Sequence, residues 1–150
     1  MTNVLIRECT HRDIESILEL DKLWNDEGVA YVWYGNREDL IRDFERFPKY
    51  FLLAESDGCV VGYVNGSVRA NETVEVLPKQ QPYLEVENIY VRPEFRDMRV
   101  GGDLLERLLE VAKENGIERF VVSTVSKDID GILRFYRSHG FKPWSVELFK

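Results

Sequence analysis

The chain has 150 residues, of which 44% are hydrophobic and 31% charged, and its formal net charge is −7. This length suffices for one domain that buries on the order of two-thirds of its unfolded surface. The acidic balance argues against nonspecific nucleic-acid binding, and no apolar run approaches the roughly 20 residues of a membrane span. With only two cysteines and no signal-like segment at its start, we expect a single cytoplasmic domain over residues 1–150 that binds neither nucleic acid nor a membrane.

The first third of the chain predicts one strand followed by two helices. A short strand at residues 4–7 precedes a helix that begins at a capping box formed by Thr10 and Asp13. Asn36 can cap a second amphipathic helix, which Pro48 stops because proline cannot continue it.

A β-hairpin is predicted next. Two β-rich runs, at residues 50–56 and 59–68, flank an Asp-Gly pair that tolerates the left-handed conformation of a tight turn. Gly62 and Gly66 lie inside the second run. Glycine within a strand suggests a bulge or a closely approaching neighbour, so we expect one of these at each position.

The second half of the chain predicts alternating strands and helices. A strand at residues 84–91 leads to a helix whose buried face spans 104–112, and these are followed by a strand at 119–125 and a helix at 130–138. Residues 141–150 are expected to supply the final strands. This order of elements is typical of a mixed α/β sheet.

The segment between the predicted strand and helix, residues 96–102, has the features of an anion site. Unpaired N–H groups at the start of a helix and the helix dipole both favour negative charge. Gly101 and Gly102 carry no Cβ that would hold a ligand away from the backbone, and Arg96 adds a positive charge. The segment therefore predicts a phosphate site, with a tight turn that binds nothing as the alternative.

Two motifs resemble those of the GNAT superfamily of N-acetyltransferases. Ile-Tyr-Val-Arg-Pro-Glu-Phe-Arg at 89–96, continued through 99–102, is similar to the acetyl-CoA-binding motif Arg/Gln-x-x-Gly-x-Gly/Ala. Phe-Tyr-Arg-Ser-His-Gly-Phe at 135–141 resembles the C-terminal segment Phe-Tyr-x-x-x-Gly-Phe. The chain departs from the family pattern twice: Arg99 stands where the first motif has a glycine, and Ile129 stands where the family often has asparagine.

This resemblance implies an α/β fold with a mixed, mostly antiparallel sheet, a central splayed parallel strand pair and about four flanking helices. It implies an enzyme that transfers the acetyl group of its co-substrate acetyl-CoA to a primary amine, by direct attack of the amine on the thioester. The acceptor would be a small-molecule or protein amine, and a homodimer formed through the last strand is common in the superfamily. The alternative is a noncatalytic acyl-CoA-binding or regulatory domain of GNAT-like fold.

The resemblance also implies where acetyl-CoA binds. Its pyrophosphate would meet the N–H groups and charges of residues 96–102, and its pantetheine arm would run beside residues 89–91. A backbone N–H in the second range would stabilise the oxyanion. The implied cofactor-binding residues are Ile89, Tyr90, Val91, Arg96, Asp97, Met98, Arg99, Val100, Gly101 and Gly102.

Three residues are candidates for acid–base catalysis. An alkylamine has a pKa of about 10, so a base must remove its proton at neutral pH. Glu85 and Glu87 lie two residues apart on one strand and therefore share a face. Glu87 matches the base of polyamine-type members of the superfamily and Glu85 that of histone-type members, and we favour Glu87. Tyr136 stands at the place of the general acid.

The aromatic residues of the first two helices and their connection have two interpretations. In the superfamily this region forms one wall of the acceptor channel, so these side chains contact the acceptor or, alternatively, pack in the core. The candidates are Trp24, Tyr31, Trp33 and Tyr34. No metal site is predicted, because His11 and His139 have no cysteine or acidic partner at ligand spacing.

Overall fold

The computed structural model describes residues 3–28 and 36–150, which form five strands in one sheet and four α-helices. None of the described helices combines the length and apolar character needed to cross a bilayer. The mostly antiparallel α/β architecture expected from the sequence is confirmed. The strands are β1 (Val4–Glu8), β2 (Phe51–Ser56), β3 (Cys59–Ala70), β4 (Pro82–Val91) and β5 (Phe120–Val122), and the helices are α1 (Ile14–Asp26), α2 (Arg37–Arg46), α3 (Val100–Glu114) and α4 (Ile129–Ser138).

The sheet separates two apolar clusters. Its strands follow the order β1-β2-β3-β4-β5, with antiparallel neighbours except for the parallel pair β4–β5. Because successive side chains of a strand point to opposite faces, β3 directs Tyr63 toward α1 and α2 and Val64 toward α3. Leu104, Leu105 and Leu108 of α3 are fully buried against the second face.

Both predicted helix caps are present. The Asp13 carboxylate accepts the backbone N–H of Thr10 at 2.8 Å and two N–H groups of Arg7 at 2.9 and 2.8 Å. The Arg7 guanidinium is the main reason that the pKa of Asp13 falls to about 2. At the start of α2, the Asn36 side chain accepts the backbone N–H of Asp39 at 2.9 Å. These contacts fix where the two helices leave the sheet.

Gly66 lies at a β-bulge between β3 and β4, which is one of the two alternatives predicted for it. On β3, Asn65 pairs with Asn88 and the next residue, Gly66, pairs with Val86. Glu87 is therefore the extra, unpaired residue on β4. A Cβ on Gly66 would lie 2.8 Å from the carbonyl oxygen of Glu85, closer than real Cβ contacts. The bulge changes which way the following residues of β4 face.

The final strands predicted for residues 141–150 are wrong. A strand requires a hydrogen-bonded neighbour, and this segment pairs with no strand of the described chain. β5 is also shorter than the predicted 119–125, and it ends the described sheet, so that the parallel pair lies at an edge. The segment leaves large apolar side chains exposed: Trp144, Val146, Leu148 and Phe149.

Candidate active site

β4 and β5 separate after a short parallel ladder, which leaves a gap along β4. The ladder joins residues 84–86 to residues 120–122, whereas β4 continues to Val91. Beyond Val86, no strand in the described ranges pairs with this edge of β4. Such an edge offers backbone N–H and C=O groups to an extended, amide-containing ligand.

The register identifies the backbone groups that face this gap. The N–H of Arg92 donates to the carbonyl of Val61 at 2.8 Å, so Arg92 bonds to β3. Because alternate residues of a strand bond to opposite neighbours, the N–H groups of Ile89 and Val91 point away from β3. They therefore line the edge of the gap. The carbonyl of Val91 already accepts the Nε of Arg96 at 3.0 Å.

The bulge directs the Glu87 carboxylate to the face of the sheet covered by α1 and α2. It accepts hydrogen bonds from Ser67 Oγ at 2.7 Å, Arg69 Nη2 at 3.1 Å and Asn65 Nδ2 at 3.4 Å. Glu85 forms an ion pair with Nε of the same arginine. The two predicted base candidates thus lie side by side and share Arg69.

A pocket of about 250 Å³ opens beside Glu87, between α2 and the sheet. Burial raises the pKa of the Asp43 carboxyl in this pocket, and the negative charge of Glu87 adds to the effect. A cation placed between the two side chains would favour the ionised form of Asp43. The wall of the pocket includes Asp43, Arg46, Phe47, Asn65, Ser67 and Glu87.

The turn before α3 presents backbone donors. Arg99 is the N-cap residue, and its carbonyl accepts the N–H of Asp103 at 2.9 Å. Asp103 is the first residue whose N–H donates to a carbonyl of the helix. The N–H groups of Val100, Gly101 and Gly102, which come before it, therefore have no partner within the helix. Together with the helix dipole, they form a site suited to a phosphate group.

Two residues of the turn other than glycine adopt the left-handed conformation. Asp97 has a φ of +63° and Arg99 a φ of +64°. This conformation costs roughly 1–2 kcal/mol for a residue with a Cβ, which is why glycine is usual there. Arg99 thus takes the backbone geometry of a glycine, and its exposed side chain adds a cation beside the turn.

The glycine pair of the turn faces α4. A Cβ on Gly102 would lie 3.3 Å from the His139 ring, and one on Gly101 would lie 3.8 Å from the Phe135 ring. The absence of a side chain on Gly102 lets α4 pack closely against the start of α3, whereas a Cβ on Gly101 would make an ordinary contact. The role predicted for the two glycines, which is to clear space for a ligand, stays a prediction.

Tyr136 of α4 lies on the same face of the sheet as the turn. It is buried, and its ring packs against Phe135 and Phe141 at centroid distances of 5.0 and 5.5 Å. It belongs to the same apolar cluster as Val91 and Val100. Burial raises the pKa of Tyr136 to about 12, so the phenol keeps its proton at neutral pH.

Arg96 is paired with Glu27, the residue that follows α1. Its Nη1 and Nη2 atoms donate to the two carboxylate oxygens of Glu27 at 2.7 and 2.8 Å. The Tyr90 hydroxyl donates to the same carboxylate at 2.6 Å, and the Arg96 contact is the main cause of the lowered pKa of Glu27. No motif pointed to Glu27, because 69 positions separate it from Arg96.

The predicted acceptor-site aromatics are only partly described. The Trp24 ring stacks on the Tyr90 ring at a centroid distance of 5.4 Å, which places it on the α1 face of the sheet. Tyr31, Trp33 and Tyr34 lie outside the described residues. Across residues 3–28 and 36–150, no group of three or more His, Cys, Asp or Glu side chains is arranged to hold a metal ion.

Comparison with known sequences identifies one matching family model and several relatives. The model of the Acetyltransferase (GNAT) family matches residues 12–141. An uncharacterized N-acetyltransferase of Methanocaldococcus jannaschii is 27% identical over 149 residues, covering 94% of this chain and 62% of the relative. An amino-acid acetyltransferase of Aeromonas salmonicida is 26% identical over 141 residues, covering 94% of this chain and 27% of the relative. The chain thus spans less than two-thirds of the length of both.

Solved structures share the fold along the whole chain. An aminoglycoside N-acetyltransferase in complex with CoA has a TM-score of 0.76 at 20% identity, covering 100% of this chain and 95% of that one. A protein from Clostridium acetobutylicum described as a predicted acetyltransferase, solved with acetyl-CoA, has a TM-score of 0.77 at 18% identity, covering 99% of this chain and 96% of that one. At these identities the likeness concerns the fold.

Proposed function

Because the chain belongs to the GNAT acetyltransferase family, we propose that residues 1–150 act as one N-acetyltransferase domain that uses acetyl-CoA to acetylate a primary amine. One observation carries this proposal. The gap along β4 has unpaired N–H groups of α3 near one end, and a carboxylate held in a bulge of the same strand near the other.

The residues around the gap fit acetyl-CoA. The N–H groups of residues 100–102 suit a diphosphate, and the Arg99 side chain adds a positive charge. The N–H groups of Ile89 and Val91 suit the amides of a pantetheine arm. Acetyl-CoA, when bound there, supplies an activated thioester. Arg96 lies in the same turn, but its charge is already paired with the carboxylate of Glu27.

Three groups of this chain would divide the chemistry. Glu87 takes the proton that the acceptor ammonium must lose, so that the amine lone pair can form the new C–N bond. A backbone N–H of Ile89 or Val91 donates to the carbonyl oxygen as negative charge develops on it. When the C–S bond breaks, the sulfur keeps the electron pair and takes a proton from the Tyr136 hydroxyl. The acylated nitrogen loses its second proton, and Tyr136 regains one, so that both groups return to their neutral forms.

The acceptor in this proposal is a small-molecule amine that carries positive charge. The pocket of about 250 Å³ beside Glu87 holds a second carboxyl group, from Asp43, together with the guanidinium groups of Arg46 and Arg69. The support for a cationic acceptor is the net charge of −7 of the chain. Solved structures of the same fold include an aminoglycoside N-acetyltransferase bound to a bisubstrate analogue, and sequence relatives include amino-acid acetyltransferases. Trp24, with Tyr31, Trp33 and Tyr34, would form the aromatic side of this site.

Thiol release from acetyl-CoA tests the proposal. The purified protein is incubated with acetyl-CoA and a panel of polyamines, aminoglycosides, amino acids and peptides, and free CoA is measured with a thiol reagent. Amine-dependent release supports the enzyme. Binding of CoA without turnover across the panel favours a noncatalytic acyl-CoA-binding domain, and absence of CoA binding contradicts both.

Arg99→Gly should weaken CoA binding about two- to fivefold, the effect of losing one exposed ion pair. Folding stability should not fall, because glycine adopts the left-handed conformation more easily. Asp97→Gly is the matched control: it relieves the same backbone conformation but removes a negative charge, so it should strengthen CoA binding. Calorimetry at low and high salt measures the Kd for CoA of both variants. If the Kd of both variants changed in the same direction, a charge effect would be contradicted.

The proposal includes a homodimer, which forms through the segment 141–150. Its support is that Val146, Leu148 and Phe149, which lie within four consecutive residues, are exposed at 77%, 91% and 101%. Exposed apolar patches often mark protein–protein interfaces. Analytical ultracentrifugation should give a dimer at micromolar concentration, and replacing Leu148 and Phe149 by aspartate should give a monomer. A monomeric parent protein would contradict the proposal.

A further inference from the structure

Glu27 contacts three separate parts of the site. Its carboxylate binds both Nη atoms of Arg96, at the start of the turn, and the hydroxyl of Tyr90 on β4. Its backbone carbonyl accepts the Nζ of Lys127, in the loop after β5, at 3.1 Å. One residue following α1 is thus connected to the cofactor turn, to β4 and to the far side of the gap.

The Arg96 side chain is held from two sides. Its Nε donates to the carbonyl of Val91, at the end of β4, while its two Nη atoms bind Glu27 as a fork. Fork-like pairs of arginine and carboxylate are more directional than single ion pairs. The guanidinium also lies 5.4 Å above the centre of the Tyr90 ring, on which Trp24 stacks from α1. The position of Arg96 therefore depends on α1 as well as on β4.

A second carboxylate–tyrosine pair provides an internal comparison. Asp21 of α1 accepts a hydrogen bond from Tyr63, which is the cross-strand partner of Tyr90. Both pairs fix α1 to the sheet through the same kind of contact. Only the pair of Glu27 and Tyr90 extends to Arg96 and the turn.

We infer that Glu27 is a positioning residue of the proposed acetyltransferase, which couples CoA binding to the acceptor side of the site. This inference rests on the proposed function. Glu27 fixes Arg96, and Arg96 begins the turn that carries the donors of residues 100–102. Glu27 also accepts the hydroxyl of Tyr90, and Trp24, one of the predicted acceptor-site aromatics, stacks on the Tyr90 ring. A change at Glu27 therefore acts on both substrates, although the residue belongs to neither set of predicted contacts.

Glu27→Gln isolates this role, because glutamine keeps the length of the side chain and an acceptor for Tyr90 but removes the ionic fork to Arg96. The Kd for CoA should rise about tenfold, within the range of coupling between contacting residues. The KM for the amine should rise as well, and kcat at saturation of both substrates should change less than either constant. Asp21→Asn, the matched control on α1, should leave the Kd for CoA within about twofold of the parent.

A double-mutant cycle separates coupling from simple loss of stability. If Glu27 acts through Arg96, Glu27→Gln combined with Arg96→Gln should weaken CoA binding no more than the stronger single change. Arg96→Lys keeps the charge but not the fork, and it should reproduce most of the loss even if Glu27→Gln folds poorly. Thermal melting monitors folding of every variant.

Two results would overturn the inference. One is a CoA affinity of Glu27→Gln equal to that of the parent, and the other is an equal loss in Asp21→Asn, which would mean that both residues only attach α1 to the sheet. These outcomes differ from failure of the proposed function, in which the parent protein itself does not bind CoA.

Discussion

Replacing Glu87 by glutamine is expected to lower kcat by roughly a hundred- to ten-thousandfold, the range of general-base catalysis. The amide keeps the shape of the side chain and can still accept from Ser67 Oγ, which lies 2.7 Å from the carboxylate, but it cannot take the ammonium proton. Steady-state kinetics with the best amine of the panel measure the loss. The KM for acetyl-CoA should change little, because Glu87 faces the α1 and α2 side of the sheet.

Glu85→Gln is the matched control for this variant. The two carboxylates share Arg69, and their side chains are equally exposed at 24%, but the described contacts to Ser67 and Asn65 belong to Glu87. If kcat fell more in Glu85→Gln than in Glu87→Gln, Glu85 rather than Glu87 would be the general base.

The pH dependence of Glu87→Gln provides a second signature. Without the base, only the amine that is already deprotonated reacts. The rate should then rise about tenfold per pH unit until the pH reaches the amine pKa of about 10. The parent protein should reach its plateau at lower pH, and identical pH profiles would argue against Glu87 as the base.

Replacing Tyr136 by phenylalanine should lower kcat about a hundredfold, the low end for acid catalysis. A thiolate, with a thiol pKa of about 8.5, is a better leaving group than an alkoxide, so it needs less help from an acid. The ring packing against Phe135 and Phe141 is retained, and the Kd for CoA should change little.

Tyr50→Phe is the control for Tyr136→Phe. Tyr50 is buried in the same apolar cluster, and burial raises its pKa as well, but no motif assigns it to the site. Its replacement should leave kcat unchanged, and an equal loss in both variants would mean that the hydroxyl of Tyr136 acts only through stability. Because the pKa of Tyr136 is about 12, its deprotonation should not reduce activity below about pH 11.

Much of the fold follows from local patterns in the sequence. Asn36 and the Thr10–Asp13 pair mark helix starts because their side chains satisfy N–H groups a few positions away. Gly66 marks the bulge because only a residue without a Cβ tolerates the carbonyl of Glu85 at that distance. Contacts within a few residues, or between two strands of a predicted pair, leave such signals in composition and spacing.

The candidate site was predicted through two motifs rather than through periodicity. The segment 96–102 and Tyr136 lie on the same face of the sheet, and the parallel pair β4–β5 opens beside Glu87 and Ile89. The packing of Gly102 against His139 was not predicted, because a glycine in a sequence does not indicate which neighbour occupies the space it leaves.

The sequence by itself determined the order of the strands and helices up to residue 140 and marked Gly66 as the place of a bulge or a close neighbour, and a resemblance to family motifs supplied the candidate site residues. Only the tertiary structure decided that Arg96 is paired with Glu27, that Glu85 and Glu87 share Arg69, and that residues 141–150 form no strand with the described sheet. The physical reason is the range of the interactions. Caps and bulges depend on neighbours along the chain, whereas ion pairs and strand pairing depend on which distant segments the folded backbone brings within reach.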